Sequence, residues 1–472
     1  MTKRFLGITV LPEFLQNEGI ERVLDNLQRA GASAVSTSPY VMEPGEGDDS
    51  SREPPADGGK GSVRLLDRPL WGRRELMVRT APSFTPDLRL YRNLAYQPPV
   101  PERLTREAGA LVGQFIRAAK ERGLKVYLQI MAAIPPGFRV QYGGPHREDM
   151  PRLPDGNFRG KGVDNNASLA SSAIKAYAGA LIKDLCRQYP EIDGFRIDWP
   201  EYPPYDLDSL FFDCSDHAFA AAARLGYDVS ALRRDLAQTY RHVNGGLGSE
   251  DLKEMAECRP GALFAYLPGF SDMLSLKARL VGELLGAYKA ALTEAGGQAR
   301  ELVPQSHPFP WSVLSGFDIG LASQHADQIG IKFYTMHWGM IVRNYVEALI
   351  SRNPGLQDTE LVLQAVLRNL ELVDAAKQVR FTDIRYPEPD EAHWTGGPYA
   401  IERKLAEALR QSKRPIIALA HGYGPVSDVR ERVVAAYRGC DRVWVNRYGY
   451  LSDEKLGVLG ELVRDNAPVE CK

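Results

Sequence analysis

Short runs of β-branched and aliphatic residues alternate along the chain with longer stretches in which apolar positions recur every three to four residues. That is the pattern of parallel strands joined by crossover helices. Eight runs read as strands, roughly residues 4–10, 33–38, 124–131, 192–198, 300–306, 329–336, 415–421 and 442–448. Helical stretches follow most of them, over about 103–122, 168–188, 269–295, 398–412, 426–438 and 453–464. Eight alternations in one chain predict an α/β fold, a single (β/α)8 TIM barrel over 1–472, in preference to an open doubly wound sheet.

The excess length is unevenly placed. It falls after strands two, three, four and six, as insertions at about 39–101, 132–166, 199–268 and 376–397. In a barrel these are loops at the C-terminal face, where substrate sites are built, so an extended ligand is expected there. The first insertion contains GEGDDSSREPPADGGKG, whose Gly, Pro and Asp content predicts a mobile loop. No internal repeat of fixed period is visible.

Composition narrows the partners. With 44% hydrophobic and 25% charged residues in 472, the chain can bury a large core. Its 58 basic and 60 acidic residues leave a net charge of −2 with no basic run to track a phosphate backbone, so nucleic acid is not expected as a partner. No stretch of eighteen apolar residues occurs, and the chain enters FLGITV without a signal-peptide pattern, so no membrane partner and a cytoplasmic location are expected. Five scattered cysteines (Cys186, Cys214, Cys258, Cys440, Cys471) lack a CxxC pair and are expected to be reduced.

The most informative stretch is DGFRIDWPEYPPY, residues 193–205. Period two puts Gly194, Arg196 and Asp198 on one strand face and Phe195 and Ile197 on the other. The apolar face should meet the helices, leaving Arg196 and Asp198 inside the barrel, where Val, Ile and Leu are usual. Buried charges require partners. By the same parity Glu301 and Lys332 are expected to join them in one mixed-charge cluster, with Arg196 holding Asp198 charged and oriented. Asp198 ends the strand, where barrel chemistry happens, and Glu201 follows after Trp199 and Pro200, where the chain must leave the ladder. Two carboxylates at one strand end suit acid/base chemistry, with one kept protonated by a wall of Trp199, Tyr202 and Tyr205. Glycoside hydrolysis needs such a pair.

Other polar and aromatic residues fall at predicted strand ends: Tyr40, Gln129, Gln305, His307, Tyr334, His337, Trp338, His421 and Asn446. Their convergence would make a sugar-binding mouth. His307, His337 and His421 with Asp198 offer imidazole and carboxylate ligands, but no HxH or HExxH spacing supports a metal, so neither metal nor cofactor is expected. Lys332 is expected to form a salt bridge to an inward acid rather than a Schiff base.

On these residues the chain resembles the barrel proteins called family-10-like glycosyl hydrolases. The likeness covers most of the chain, including PDLRLYRNLAYQPP, ERGLKVYLQI, VDNNAS, YPEIDGFRIDWPEYPPY and ADQIGIKFYTMHWG. It implies a barrel with a sugar-related site. Such proteins often carry several cysteines and a histidine after strand four; FFDCSDHAFAAAARLGYD keeps Cys214 and His217. The α-amylase family is similar in one strand, since its GFRxD aspartate is a nucleophile and matches Asp198. That family also wants a glutamate ending strand five and an aspartate after strand seven, where this chain has Gln305-Ser306-His307 and Ala420-His421-Gly422. The chitinase DGxDxDxE strand resembles Asp193, Gly194, Asp198 and Glu201, but Arg196 replaces an aspartate and Pro200 adds a residue.

The expectation is therefore a glycoside hydrolase with a carbohydrate substrate, Asp198 as nucleophile or stabiliser and Glu201 as acid/base. The alternatives are a sugar lyase, isomerase or aldolase on the same barrel, or a non-catalytic carbohydrate-binding barrel.

Overall fold

The structure is a computed structural model and describes residues 4–56, 64–160, 162, 164–297, 299–372, 379–397 and 399–464. Eight parallel strands close into a barrel: β1 (Phe5–Thr9), β2 (Ala34–Thr37), β3 (Lys125–Met131), β4 (Gly194–Asp198), β5 (Glu301–Ser306), β6 (Ile329–Phe333), β7 (Ile416–His421) and β8 (Arg442–Asn446). Each strand pairs with its sequence neighbours, and β1 pairs with β8 to complete the ring. All eight lie inside the expected runs. The strand predicted to reach 336 stops at Phe333 because Met336 opens the helix Met336–Arg352.

Period-two patterning divides the strand residues as anticipated. Leu6, Ile8, Val35, Val126, Leu128, Phe195, Ile197, Ile331 and Val443 join the large core shared with the helices. Ala34, Tyr127, Val303, Ile417, Leu419 and Trp444 form a separate cluster inside the barrel. Arg196 belongs to that interior: its guanidinium lies 3.6 Å from the centre of the Trp444 ring, and Nη1 donates to Thr9 Oγ1 at 3.3 Å and Ser36 Oγ at 3.4 Å. A desolvated contact of this kind contributes about 2 kcal/mol. The indole needs Gly7 beside it in register, since a Cβ there would sit 2.0 Å from Trp444 Cε3.

The expected four-charge cluster is thus corrected. Arg196 rests on a ring and two hydroxyls, while Glu301 sits at the opposite end of the barrel, bound by Lys125 Nζ at 2.9 Å and Tyr127 Oη at 2.6 Å. Glu301 starts β5 rather than ending it, so its oxygens face the N-terminal rim.

The first insertion is also more ordered than composition implied. Tyr40–Pro44, Ser51–Glu53 and Leu76–Pro82 form a three-stranded antiparallel sheet over the mouth. Alternating burial along Leu76–Pro82 explains it: Leu76, Val78 and Thr80 face inward around the more exposed Met77 and Arg79. Part of the glycine-rich stretch expected to be mobile, residues 57–61, lies outside the described residues, as do residues 62–63, residues 376–378 of the last insertion and Cys471. The four described cysteines are free thiols. Among the described residues no helix is long and apolar enough to cross a membrane.

Candidate active site

The end of β4 is where the barrel's polar interior reaches its open face. Asp198 Oδ1 lies 2.7 Å from Lys332 Nζ, which projects from β6. The same oxygen accepts the Trp199 backbone N–H at 3.0 Å, and Gln129 Nε2 donates to Oδ2 at 3.3 Å. The lysine side chain is 2% exposed and the aspartate's 17%, so the ammonium is sealed while the carboxylate keeps an open edge. Lys332, rather than Arg196, is the cation that orients Asp198.

The chain then turns sharply. Trp199 has φ 51°, a left-handed conformation that costs a bulky residue about 1–3 kcal/mol and is tolerated where surroundings over-determine it. Asn166, from the VDNNAS segment, supplies that restraint: its amide donates to Trp199 O and Glu201 O, both at 3.0 Å. The result lays the indole against the mouth and swings the next acid away from it.

Glu201 is therefore not where it was expected. Its side chain is fully buried, accepting from Ser306 Oγ at 2.8 Å, Ser315 Oγ at 2.5 Å and the His307 N–H at 3.0 Å. Burial raises its pKa, with Lys332 at 3.9 Å opposing. A carboxyl tied to three donors behind the wall fastens the end of β4 to the end of β5 and does not line the cavity at the mouth.

The mouth holds a cavity of about 150 Å³. Of the anticipated residues, Asp198, Trp199, Tyr40, Gln129, Tyr334, His337, His421 and Asn446 line it. Five others do not. Arg196 lies below in the barrel and Gln305 is fully buried. Tyr202 is core, donating to Asp213 at 3.0 Å; Trp338 packs on Trp311 at 5.4 Å; His307 stands behind Tyr205 with rings 5.5 Å apart. Burial holds His421 and His307 well below the usual imidazole range, so both are neutral; Arg64 near His421 and Lys332 near His307 act the same way. Among the described residues no three His, Cys, Asp or Glu side chains are grouped to hold a metal ion.

A second charged group on the cavity wall escaped the sequence reading. Glu53, on the loop sheet, is 1% exposed and clamped between Arg139 Nη2 at 2.8 Å and Arg447 Nη2. Arg447 also bonds Glu13 Oε1 at 3.1 Å, and Tyr40 Oη donates to Glu13 Oε2 at 3.2 Å. Arg139 Nη1 reaches Ser51 Oγ and Thr80 Oγ1 at 3.1 and 3.2 Å, so the network also locks the small sheet to the barrel. Glu53 sits in a segment that composition marked as loop, and no local spacing flags it. Glu13 carried one faint signal, an acid just beyond the end of a barrel strand.

Comparison with solved structures agrees with the fold. The chain is similar to a β-galactosidase from the psychrophilic Marinomonas ef1, with 13% identity and a TM-score of 0.53 over 98% of this chain and 59% of that one. A β-galactosidase from Bacillus circulans sp. alkalophilus gives 10% and 0.45 over 98% and 56%. The catalytic domain of a β-amylase from Paenibacillus polymyxa gives 11% and 0.46 over 97% and 95%. The chain spans a little over half the length of the two β-galactosidases. At 13% identity the likeness to the Marinomonas β-galactosidase is one of fold, the closed barrel, and nothing finer. No protein-family model matches the chain, and no curated protein matches it.

Proposed function

We propose that the protein is a glycoside hydrolase of the cytoplasm that acts on a sugar residue seated in the mouth cavity, with Asp198 as its reacting carboxylate. The observation that carries this reading is the placement of Asp198: an ion-paired carboxylate with one open edge, at the C-terminal end of a barrel strand, in a cavity walled by rings. Trp199, Tyr40 and Tyr334 offer flat apolar faces to a pyranose, and Gln129, His337, His421 and Asn446 offer donors and acceptors to its hydroxyls. A cavity below the roughly 300–1,000 Å³ of most small-molecule sites suits one sugar residue rather than a long chain. The family-10-like resemblance and the hydrolase neighbours are in keeping with this substrate class.

Asp198 then serves as nucleophile or as the negative charge facing an oxocarbenium-like transition state. Lys332 is engaged with that carboxylate at 2.7 Å, an arrangement that favours a charge partner over an imine-forming amine and so a hydrolase over an aldolase.

The test is turnover of phenyl and dinitrophenyl glycosides of galactose, glucose, xylose and mannose, in both anomers, with oligosaccharides alongside. The wild type hydrolyses at least one, and Asp198→Asn loses about 10²-fold or more while still binding the sugar by calorimetry. Sugar binding without turnover in the wild type makes the protein a binding barrel and defeats the proposal.

A further inference from the structure

Cleaving a glycosidic bond requires a proton for the departing oxygen, and the acids near the cavity are unequally suited to hold one. Asp198 is taken up by Lys332, and Glu201 is sealed behind the wall. Glu53 reaches the cavity but lies between two guanidiniums. Glu13 differs from all three. It is fully buried, shares the Arg447 guanidinium with Glu53, and otherwise meets the hydroxyl of Tyr40.

We propose that Tyr40 and Glu13 form the proton-delivery pair of this site: Tyr40 is the catalytic hydroxyl facing the substrate, and Glu13 is the buried carboxyl that resupplies it. The proposal rests on the hydrolase reading above. Its geometric basis is the 3.2 Å contact between Tyr40 Oη and Glu13 Oε2, with the Tyr40 side chain lining the cavity and Glu13 behind it: the hydroxyl donates to the carboxyl in this structure and, once its hydrogen turns to a substrate, accepts from the protonated carboxyl across the same contact.

Charge placement favours the protonated form of Glu13. The titratable and charged groups facing it are Tyr40 and Glu53 from the loop sheet, Arg139 from the loop after β3 and Arg447 from the end of β8. Both cations bond Glu53 directly, and only Arg447 bonds Glu13. Ionising Glu13 would place a second carboxylate beside Glu53 without solvent, so burial first and Glu53 second push its carboxyl up to about 7. A phenol alone is a weak donor here, since burial and Glu13 raise Tyr40 well above its usual range. A protonated neighbour removes that obstacle.

The step balances. The glycosidic C–O bond breaks with its electron pair passing to the departing oxygen, while Asp198 or a water it activates forms the new bond to the anomeric carbon. The departing oxygen takes the Tyr40 hydroxyl proton, and the Glu13 proton moves to the tyrosine oxygen, so no phenolate accumulates. Glu13 is left as a carboxylate on Arg447. Where Asp198 has bonded to the anomeric carbon, water then displaces it, the carbon–Asp198 bond breaks with its electrons returning to the carboxylate, and the water's proton passes through Tyr40 to Glu13; where water attacks directly, Asp198 takes its proton and releases it to solvent, from which Glu13 is reprotonated.

Leaving-group dependence tests this, because dinitrophenolate departs without protonation and phenolate does not. In Tyr40→Phe and Glu13→Gln the phenyl-glycoside rate is expected to fall about 10²–10⁴-fold more than the dinitrophenyl rate. The loss of wild-type activity as pH rises through about 7 should vanish in Glu13→Gln. Equal losses on both leaving groups, or an unchanged basic limb, overturn the relay. Wild-type turnover and Asp198→Asn keep the readings apart: a wild type that turns over no glycoside defeats the hydrolase assignment, an active Asp198→Asn defeats the role of Asp198, and an inert Asp198→Asn beside a Tyr40→Phe that treats both leaving groups alike defeats the relay alone. Infrared difference spectra between about pH 5 and about pH 9 read the Glu13 proton without turnover. A carboxylic C=O band present in wild type and missing in Glu13→Gln is expected, and its absence from wild type refutes the proposal.

Discussion

Replacing Lys332 by Met keeps most of the side-chain volume and removes the ammonium that lies 2.7 Å from Asp198 and 3.9 Å from Glu201. Glu201 is fully buried, Asp198 largely so, and removing one partner of a buried ion pair costs about 3–5 kcal/mol because the other charge is stranded. The loss has a predictable pH dependence. Glu201 is already raised by burial and loses its opposing cation, so its folded pKa climbs further above the unfolded value. A group raised in the folded state contributes stability below its unfolded pKa and loses it as pH rises through the folded one. Lys332→Met should therefore be least harmful in mild acid and progressively worse toward alkaline pH. Urea unfolding of wild type, Lys332→Met, Glu201→Gln and the double variant at several pH values measures this. The double variant should be more stable than the sum of the single effects implies by about 1–3 kcal/mol, the range of coupling within one ion-pair network. Additive effects, or a Lys332→Met loss below about 1 kcal/mol at every pH, would refute the reasoning.

Three further outcomes are expected. Gly7→Ala drives a methyl into the Trp444 ring and should destabilise by about 1–3 kcal/mol in thermal melts, partly recovered by Trp444→Phe in the same chain; a neutral Gly7→Ala contradicts the packing account. Asn166→Ala strands two buried carbonyls that hold the Trp199 turn and should cost about 1–3 kcal/mol together with a rise in KM, so unchanged stability and KM would remove Asn166 from the argument. Glu13 titrates near 7 when folded and at its ordinary value when unfolded, so it should subtract stability as pH rises from about 4.5 to about 7, by about 3 kcal/mol. Glu13→Gln should flatten that slope, and parallel slopes in denaturation experiments would argue against a protonated Glu13.

The site was half legible in the sequence, and the division follows chemistry. Asp198, His421 and Asn446 end barrel strands, Tyr334 follows one and Gln129 lies two residues from the end of another, where period two and fold class together specify both depth and direction. Glu201 and Tyr202 were misplaced by one turn. Nothing in WPEY states that Trp199 adopts φ 51°, or that Asn166, 35 residues before Glu201, accepts the cost of that bend by bonding both of its carbonyls. Glu53 and Arg139 come from separate loops and meet 2.8 Å apart, a contact between positions 86 residues distant that no window along the chain contains.

Alternation along the chain, by itself, determined the eight strands, their parallel order and the inward stripe of β4, because those follow from local periodicity and the geometry of ring closure. Tertiary structure decided which charges met. Arg196 found Trp444, Lys332 found Asp198, and Arg447 found both Glu13 and Glu53. The physical reason is that a buried charge takes whichever partner lies closest across the fold, and that distance is set by how strands and loops pack.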